Sequence, residues 1–416
     1  MTFVKRYSDS LIELGQKYLK TDIRYLLNGG FWLVFGQVAS TLFSLGLSIA
    51  FAHYLSKEAF GTYKYVLSVA GLFGAFTLTG LSNAVIQTIA RGNEGIVKYG
   101  YRISLKWSIF FVVGSLGVSG YYFLNNNILL AYSILFIGIF SPFLNSASIY
   151  SAYLQGRKDF RTNGLYSVIR GLLPALALFI TVLFTNNPLV LIFVYFAANT
   201  TVITFLYQLT IKKFKAVEVS SDDQTIPFAK HSSVINVLAI IADKLDSILI
   251  FHYLGAVQVA IYTFAMAIPE NINGMLKNLL PLAIARFSSG RRDHIKDSIF
   301  SKMFRLTGFL ILISLAYILV APYIFKFIFP KYMDAVFYTQ IIGLSIIING
   351  ALPIAFFESQ LAIKEKYILS IASNLVKIPL LFLGVIYFGI VGVIVAKLIS
   401  KVFGLTLSLI LVKRMR

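Results

Sequence analysis

Long apolar runs recur along the whole chain, and they constrain its fold more than any other feature. Each run is about 20 residues long, the length of an α-helix that crosses the hydrocarbon core of a bilayer. Of the 416 residues, 58% are hydrophobic and 13% are charged, whereas a soluble domain carries about 25% charged residues. Inside lipid every backbone polar group must be bonded internally, so such runs fold as helices. The composition therefore predicts an all-α polytopic membrane protein.

The lengths of these runs predict about twelve spanning helices. We expect them near residues 30–53, 64–90, 103–124, 128–153, 165–185, 188–211, 231–253, 262–285, 304–328, 335–357, 367–387 and 389–412. The basic stretch before the first span, residues 1–29, is expected to be an amphipathic helix on the cytoplasmic face. A polar cytoplasmic linker over 212–229 divides the spans into a first bundle (30–211) and a second bundle with a basic cytoplasmic tail (230–416).

The second half of the chain repeats features of the first half. Ala52-His53-Tyr54-Leu55 is answered by Phe251-His252-Tyr253-Leu254, and Tyr63 and Tyr262 follow the two copies at the same spacing. Each copy ends one apolar run and begins the next, and both copies cross the membrane in the same direction. Parallel repeats related by an axis along the membrane normal are typical of transporters, whose sites lie where the repeats meet.

Basic residues are concentrated on one side of the predicted membrane. The net charge is +20, but in so apolar a chain this charge indicates topology rather than a nucleic-acid partner. Most Lys and Arg residues fall in the N-terminal segment, in the loops after even-numbered spans and in the C-terminal tail. The opposite loops are very short, as at Asn125-Asn126-Asn127 and Asn186-Asn187. The bias predicts a multi-pass protein of the cell inner (cytoplasmic) membrane with both termini in the cytoplasm.

Several short motifs resemble those of one known family. The stretch from Leu55 to Tyr63 (LSKEAFGTY) resembles the first outer loop of bacterial polysaccharide exporters, and Gly80-Leu81 followed by Arg91 resembles the end of their second helix. Two further resemblances are Gln155-Gly156 before a basic loop, and Asp243-x-x-Asp246-x-x-Leu249 followed by Tyr262. On these motifs the chain resembles the O-antigen-type oligosaccharide flippases, within the multidrug/oligosaccharidyl-lipid/polysaccharide exporter superfamily.

This resemblance covers essentially the whole chain and implies both an architecture and a cargo. It implies two six-helix bundles that form a V around a central cavity and work by alternating access. The implied cargo is a polyprenyl-diphosphate-linked oligosaccharide, flipped from the cytoplasmic to the outer leaflet for assembly of a surface polymer such as O-antigen or capsule. The expected partners are this lipid-linked glycan, membrane lipids, a polysaccharide polymerase and glycosyltransferases, around a monomeric transport unit.

Charged residues inside spans are the candidate site. A charge at mid-membrane costs about 2.5 kcal/mol or more, so each needs a partner or a wet surrounding. Lysines that face a cavity would attract the diphosphate, while carboxylates would pair with them or bind a driving cation. The candidate substrate-binding residues are Lys397, Lys401, Lys377, Lys277, Lys244 and Arg170. The candidates for ion coupling or charge pairing are Asp243, Asp246 and Glu270.

A purely structural explanation stays open for several of these residues. Asp243 and Asp246 have Lys244 beside them, so a local neutralising pair is available. Lysines near a span end can snorkel, and Arg170, near the inner end of the fifth helix, can anchor the topology. Lys397 and Lys401 have no acid nearby in their own helix, which favours a position facing a cavity.

Other classes of function find less support. The sequence contains no Ser/His/Asp set, metal-ligand cluster or phosphate-binding glycine loop, so we expect no catalytic residue, metal or cofactor, and no enzyme. One alternative is a cation-coupled multidrug exporter on the same scaffold, although basic spans would repel cationic drugs. A remote alternative is a membrane-embedded polysaccharide polymerase or acyltransferase, against which the internal repeat argues.

Overall fold

The computed structural model describes residues 23–214, 225–277, 292–360 and 362–415, together with Ile284 and Phe287. These residues form helices joined by short connections, which confirms the predicted all-α polytopic fold. Most of the predicted N-terminal segment (1–29) and of the predicted linker (212–229) lies outside the described residues. The boundaries proposed for those segments and for the two bundles therefore stay predictions.

Nine helices lie in the described part of the first half. Their bounds are α1 Ile23–Tyr54, α2 Lys57–Gly74, α3 Leu81–Ala90, α4 Ile96–Trp107, α5 Ile109–Leu124, α6 Ile128–Ala147, α7 Ile149–Gly156, α8 Phe160–Phe184 and α9 Pro188–Phe214. Side-chain caps begin several of them. Ser56 Oγ accepts from the Ala59 N–H at 3.1 Å, and Asp159 Oδ1 accepts from the Thr162 N–H at 3.1 Å, so free N–H groups at these helix starts are bonded.

The second half contains six described helices and two short 3₁₀ turns. Their bounds are α10 Thr225–Leu254, α11 Ala256–Lys277, α12 Arg292–Ile328, the turn Pro330–Ala335, α13 Val336–Gly343, the turn Leu344–Ile346, α14 Ala351–Ser359 and α15 Ile363–Arg414. The tenth predicted span was expected as one helix over 335–357. The structure interrupts it between α13 and α14, where Asn349 Oδ1 accepts from the Ala351 N–H at 2.8 Å.

The number of crossings agrees with the prediction once the breaks are considered. By length and composition, eight stretches of the described residues are apolar helices long enough to span a membrane. One of them, α15, makes two crossings, because Gly389 adopts φ 59° and ψ −136° and turns the chain back in a conformation that favours glycine. The other predicted crossings are α10 and α11, which carry several charged residues, and α2 with α3.

The second span, predicted as one helix over 64–90, is broken between α2 and α3. Non-helical backbone inside a membrane is tolerated only where it is buried in protein and its polar groups are bonded. Here α10 supplies the partners: Ser233 Oγ accepts from the Gly80 N–H at 2.9 Å, and Asn236 Nδ2 donates to Thr79 Oγ1 at 3.3 Å. The prediction of a continuous helix was wrong because these partners come from the other half of the chain.

The two halves meet along α2 and α3 on one side and α10 and α11 on the other. We call the end that carries the connections 55–56, 125–127 and 185–187 the short-loop end, and the opposite end the basic end. At the short-loop end Gly61 lies against the Ala256 backbone, which leaves no room for a larger side chain. At the basic end a Cβ at Gly80 would lie 2.6 Å from the Ala229 carbonyl oxygen.

Candidate functional site

The charged residues of three helices in the second half converge on one cluster. Lys397 of α15 donates to Asp246 Oδ2 of α10 at 2.8 Å and to the Tyr262 hydroxyl of α11 at 2.9 Å. The Tyr262 hydroxyl donates in turn to Asp246 Oδ2 at 2.7 Å, while the Ser247 N–H donates to Asp246 Oδ1 at 2.7 Å. The Asp246 side chain is 5% exposed. It is therefore a buried carboxylate with its charge and both oxygens satisfied.

The two other carboxylates of this region are open on one side. Asp243 Oδ1 lies 2.5 Å from Lys377 Nζ, and the Asp243 side chain is 70% exposed. Glu270 Oε1 lies 3.5 Å from Lys397 Nζ, and the Glu270 side chain is 60% exposed. The local pairing considered from the sequence, with Lys244, is not what forms. The acids of α10 pair instead with lysines of α15.

Lys244 is directed toward the first half of the chain. A Cβ at Gly71 of α2 would lie 2.7 Å from Lys244 Cε, so the lysine stem packs across the bare backbone of that helix. Its charge acts on Lys64, also in α2. Lys64 Nζ lies 5.3 Å from the ring centroid of Phe60 and 5.8 Å from that of Tyr63. Among the described residues, no carboxylate forms a salt bridge with either of these two lysines.

Sequence reasoning missed Lys64, which was placed at the boundary of the second span. The structure begins α2 at Lys57, so Lys64 lies about two turns inside the helix. A signal was present in the repeat, because Tyr63 and Tyr262 are equivalent and the residue after Tyr262 is the uncharged Thr263. Because only one copy of the repeat carries a lysine here, the shared fold does not need it, and the lysine is a candidate for a functional role.

Arg170 of α8 lies among tyrosines of the first half. Its guanidinium interacts with the hydroxyl of Tyr150, and its charge also acts on Tyr195 of α9. The Tyr195 ring lies 5.7 Å from the Tyr63 ring, centroid to centroid. The Arg170 side chain is exposed, and the two roles considered for it, substrate ligand and topology anchor, stay predictions.

The remaining candidates lie further along their helices. Lys401 follows Lys397 by one turn of α15 and is half-buried. Lys277 ends α11, and its side chain lies outside the described residues. Within the described part of the chain, no group of three or more His, Asp or Glu side chains could hold a metal ion.

Comparison with known proteins identifies the family of this chain. The model of the polysaccharide biosynthesis protein family matches residues 26–280, which is more than half of the chain. The chain belongs to this family. Its resemblance to polysaccharide exporters is thereby confirmed. No curated protein matches the chain in sequence.

Solved structures identify the fold as that of the MOP transporter superfamily. A multidrug resistance transporter of the MATE family, in an inward-facing conformation, is similar in structure. The match covers 90% of this chain and 94% of the transporter, with a TM-score of 0.70 and 14% identity. The lipid II flippase MurJ matches 92% of this chain over 88% of its own, with a TM-score of 0.66 and 14% identity. A MOP superfamily transporter from Pyrococcus furiosus aligns with 94% of this chain and 95% of its own chain, with a TM-score of 0.58 and 13% identity.

Proposed function

We propose that the protein flips a polyprenyl-diphosphate-linked oligosaccharide from the cytoplasmic to the outer leaflet, by alternating access, for assembly of a cell-surface polysaccharide. The single observation that carries this proposal is that Lys244 of α10 packs across Gly71 of α2, the helix that also carries Lys64. The two lysines come from opposite halves of the chain, and no acid among the described residues neutralises them. Membership of the polysaccharide biosynthesis family supports the proposal.

The positive charge of Lys244 acts on Lys64, and like charges within the bilayer repel each other and are costly there. An anion that lies between them would be attracted by both groups and would remove that cost. A diphosphate fits, because it offers several acceptor oxygens and must lose its water to cross the membrane. Since Lys64 and Lys244 belong to different halves, such an anion would contact both bundles at once, as a cargo at the interface of two repeats must.

The exposed acids indicate that open space lies beside this site. Asp243 and Glu270 are 70% and 60% exposed although each lies next to a lysine of α15. A carboxylate exposed to lipid would be far more costly than one exposed to water. We therefore assign the space beside α10 and α11 to a water-filled cavity, through which the glycan headgroup would pass.

Lys397 is not assigned to the anion. Its ammonium already bonds Asp246 and the Tyr262 hydroxyl, and an anion would have to displace a buried carboxylate to reach it. The sequence favoured Lys397 as a ligand because its own helix offers no acid. The acids come from α10 and α11 instead, so we assign Lys397 to joining helices of the second half.

The closed short-loop end suggests the direction of the cycle. There Lys57 of α2 pairs with Asp334 at 2.6 Å, and the ring of Phe264 in α11 lies 4.8 Å from Phe60 and 4.0 Å from Tyr332. The contacts of Lys57 with Asp334 and of Phe60 with Phe264 join the two halves. We propose that the short-loop end faces the outside of the inner membrane, with both termini cytoplasmic, and that cargo leaves when these contacts separate.

A cation-coupled multidrug exporter remains the second candidate, because the exposed Asp243 and Glu270 would attract cations. The likeness to the MATE transporter supports only the scaffold that both functions share.

We propose no catalytic step for the chain. Glycosyltransferases would supply its cargo and a polymerase would consume it, with the monomer as the transport unit.

Deletion of the gene in its own host separates the two candidates. We expect loss of the surface polymer, accumulation of lipid-linked glycan and restoration by the wild-type gene. A Lys64→Gln/Lys244→Gln gene should fail to restore the polymer, whereas Lys326→Gln, which removes an exposed lysine of α12, should succeed. Unchanged surface polymer together with altered tolerance to cationic drugs would contradict the flippase and support the exporter.

A further inference from the structure

A groove opens at the surface of the first half, between α1 and α8 near the short-loop end, where the large apolar side chains Ile49, Tyr54 and Phe179 are exposed. Its volume is about 330 Å³, and it is lined by Gly46, Ile49, Ala50, His53, Tyr54 and Phe179. The lining is mostly apolar, and its polar side chains belong to the last turn of α1. The groove lies outside the charged cluster of α10, α11 and α15, and the proposed transport does not use it.

The packing of α1 against α8 explains why the groove forms at this end. Toward the basic end the helices approach closely through small residues: a Cβ at Gly36 would lie 2.6 Å from the Gly164 carbonyl oxygen. One turn further, Ser40 Oγ donates to the Ser167 carbonyl at 2.8 Å. Beyond these contacts α8 carries the large Phe179, which lines the groove. Gly46 then faces open space, with no atom within 4 Å of where its Cβ would lie.

The ammonium group of a lysine lies at the polar end of this groove. Lys331, in the turn after α12, donates from Nζ to the His53 carbonyl at 2.5 Å. That bond fixes the ammonium at the last turn of α1 and leaves two of its three donor hydrogens available. Lys331 is exposed, and no carboxylate in the described ranges forms a salt bridge with it. His53 Nδ1 bonds the Ile49 carbonyl at 2.9 Å, which holds the ring beside the groove.

We propose that this groove is a binding site for an anionic phospholipid of the leaflet at the short-loop end. One acyl chain lies in the apolar part over Gly46 and Ala50, and the headgroup phosphate accepts hydrogen bonds from Lys331. Charge complementarity selects an anionic lipid, because the polar end carries a fixed ammonium without a neutralising acid. The groove spans about two turns of α1, or about 12 Å at 1.5 Å per residue, which suits part of one chain below its headgroup.

Native mass spectrometry of the purified full chain tests this site with dioleoyl phosphatidylglycerol and dioleoyl phosphatidylcholine. The wild type should retain phosphatidylglycerol at activation energies that remove phosphatidylcholine. Gly46→Leu fills the groove and should weaken phosphatidylglycerol retention about tenfold, equivalent to about 1.4 kcal/mol. Lys331→Gln should reduce the preference to the phosphatidylcholine level. Gly117→Leu is the matched control, because Gly117 is also an exposed helical glycine facing open space.

Three outcomes would overturn the assignment. The first is a Gly46→Leu variant that retains phosphatidylglycerol as well as Gly117→Leu does. The second is equal retention of both phospholipids by the wild type. The third is displacement of phosphatidylglycerol from the wild type, but not from Gly46→Leu, by a low concentration of polyprenyl phosphate, which would assign the groove to the cargo tail. Flipping of the glycan is not measured, so this test stands apart from the transport proposal.

Discussion

Lys397 of α15 and Asp246 of α10 form an ion pair of 2.8 Å, and the Tyr262 hydroxyl of α11 bonds both side chains. Three helices of the second half are thereby joined at one buried point. Removing one member of a buried pair leaves the other charge uncompensated, which typically costs about 3–5 kcal/mol. The pair is therefore a structural element that the fold cannot lose without a compensating change.

Lys397→Met should lower the free energy of unfolding by about 3 kcal/mol, because Asp246 keeps its charge in an apolar surrounding. A second change, Asp246→Leu, should recover much of this loss. Reversible unfolding in mixed detergent micelles measures both effects. The control is Lys366→Gln, which breaks the more exposed pair with Glu358 and should cost less than about 1 kcal/mol. Equal losses of unfolding free energy for Lys397→Met and Lys366→Gln would show that the buried pair stabilises the fold no more than the exposed pair does.

Inorganic pyrophosphate should stabilise the wild-type protein through Lys64 and Lys244. An anion that binds only the folded state raises its stability in proportion to RT ln(1 + [L]/Kd), so the unfolding midpoint Tm should rise by a few degrees at saturating pyrophosphate. Lys64→Gln/Lys244→Gln should abolish this rise and should not lower the Tm without ligand, because the two charges repel each other. A rise of the same size in the double variant would place the anion elsewhere.

The contact between Lys57 and Asp334 should favour closure of the short-loop end. Since the chain contains no cysteine, one cysteine introduced at the buried Val259 reports opening through its reaction with a membrane-impermeant thiol reagent. Lys57→Gln in that background should raise the labelling rate about 1.4- to fivefold, because an exposed pair contributes about 0.2–1 kcal/mol. Lys366→Gln, which lies near the basic end, should leave the rate unchanged. An unchanged labelling rate in Lys57→Gln would show that this pair does not help to close the short-loop end.

The sequence was sufficient to find most of the charged residues but not their partners. Asp243, Asp246 and Lys397 were identifiable because the cost of a charge in lipid singles them out wherever they occur in an apolar run. Their pairing depends on how α10 and α15 approach each other, and Lys397 and Asp246 lie 151 residues apart in the chain. Spacing within one helix could offer only Lys244, which the fold directs toward α2.

The fold itself was predicted better than its interruptions. Apolar run length and the single reversal at Gly389 follow from local physics, namely bilayer thickness and the conformational freedom of glycine. The break between α2 and α3 does not, because the hydropathy of the stretch from Gly74 to Leu81 continues without a gap. The break is stable only where Ser233 and Asn236 bond it from α10. Lys64 was placed at the boundary of the second span because the apolar run begins there, whereas α2 begins at Lys57.

Flipping of a fluorescent polyprenyl-diphosphate-linked oligosaccharide in proteoliposomes tests the central claim most directly. Impermeant reductant destroys label in the outer leaflet, and the rate at which protected label becomes accessible reports transport. We predict that the wild type exposes the protected label, that Lys64→Gln/Lys244→Gln is at least about tenfold slower, and that Lys326→Gln matches the wild type. A wild-type rate equal to that of protein-free vesicles, or a double variant as fast as the wild type, would contradict transport of a diphosphate between these two lysines.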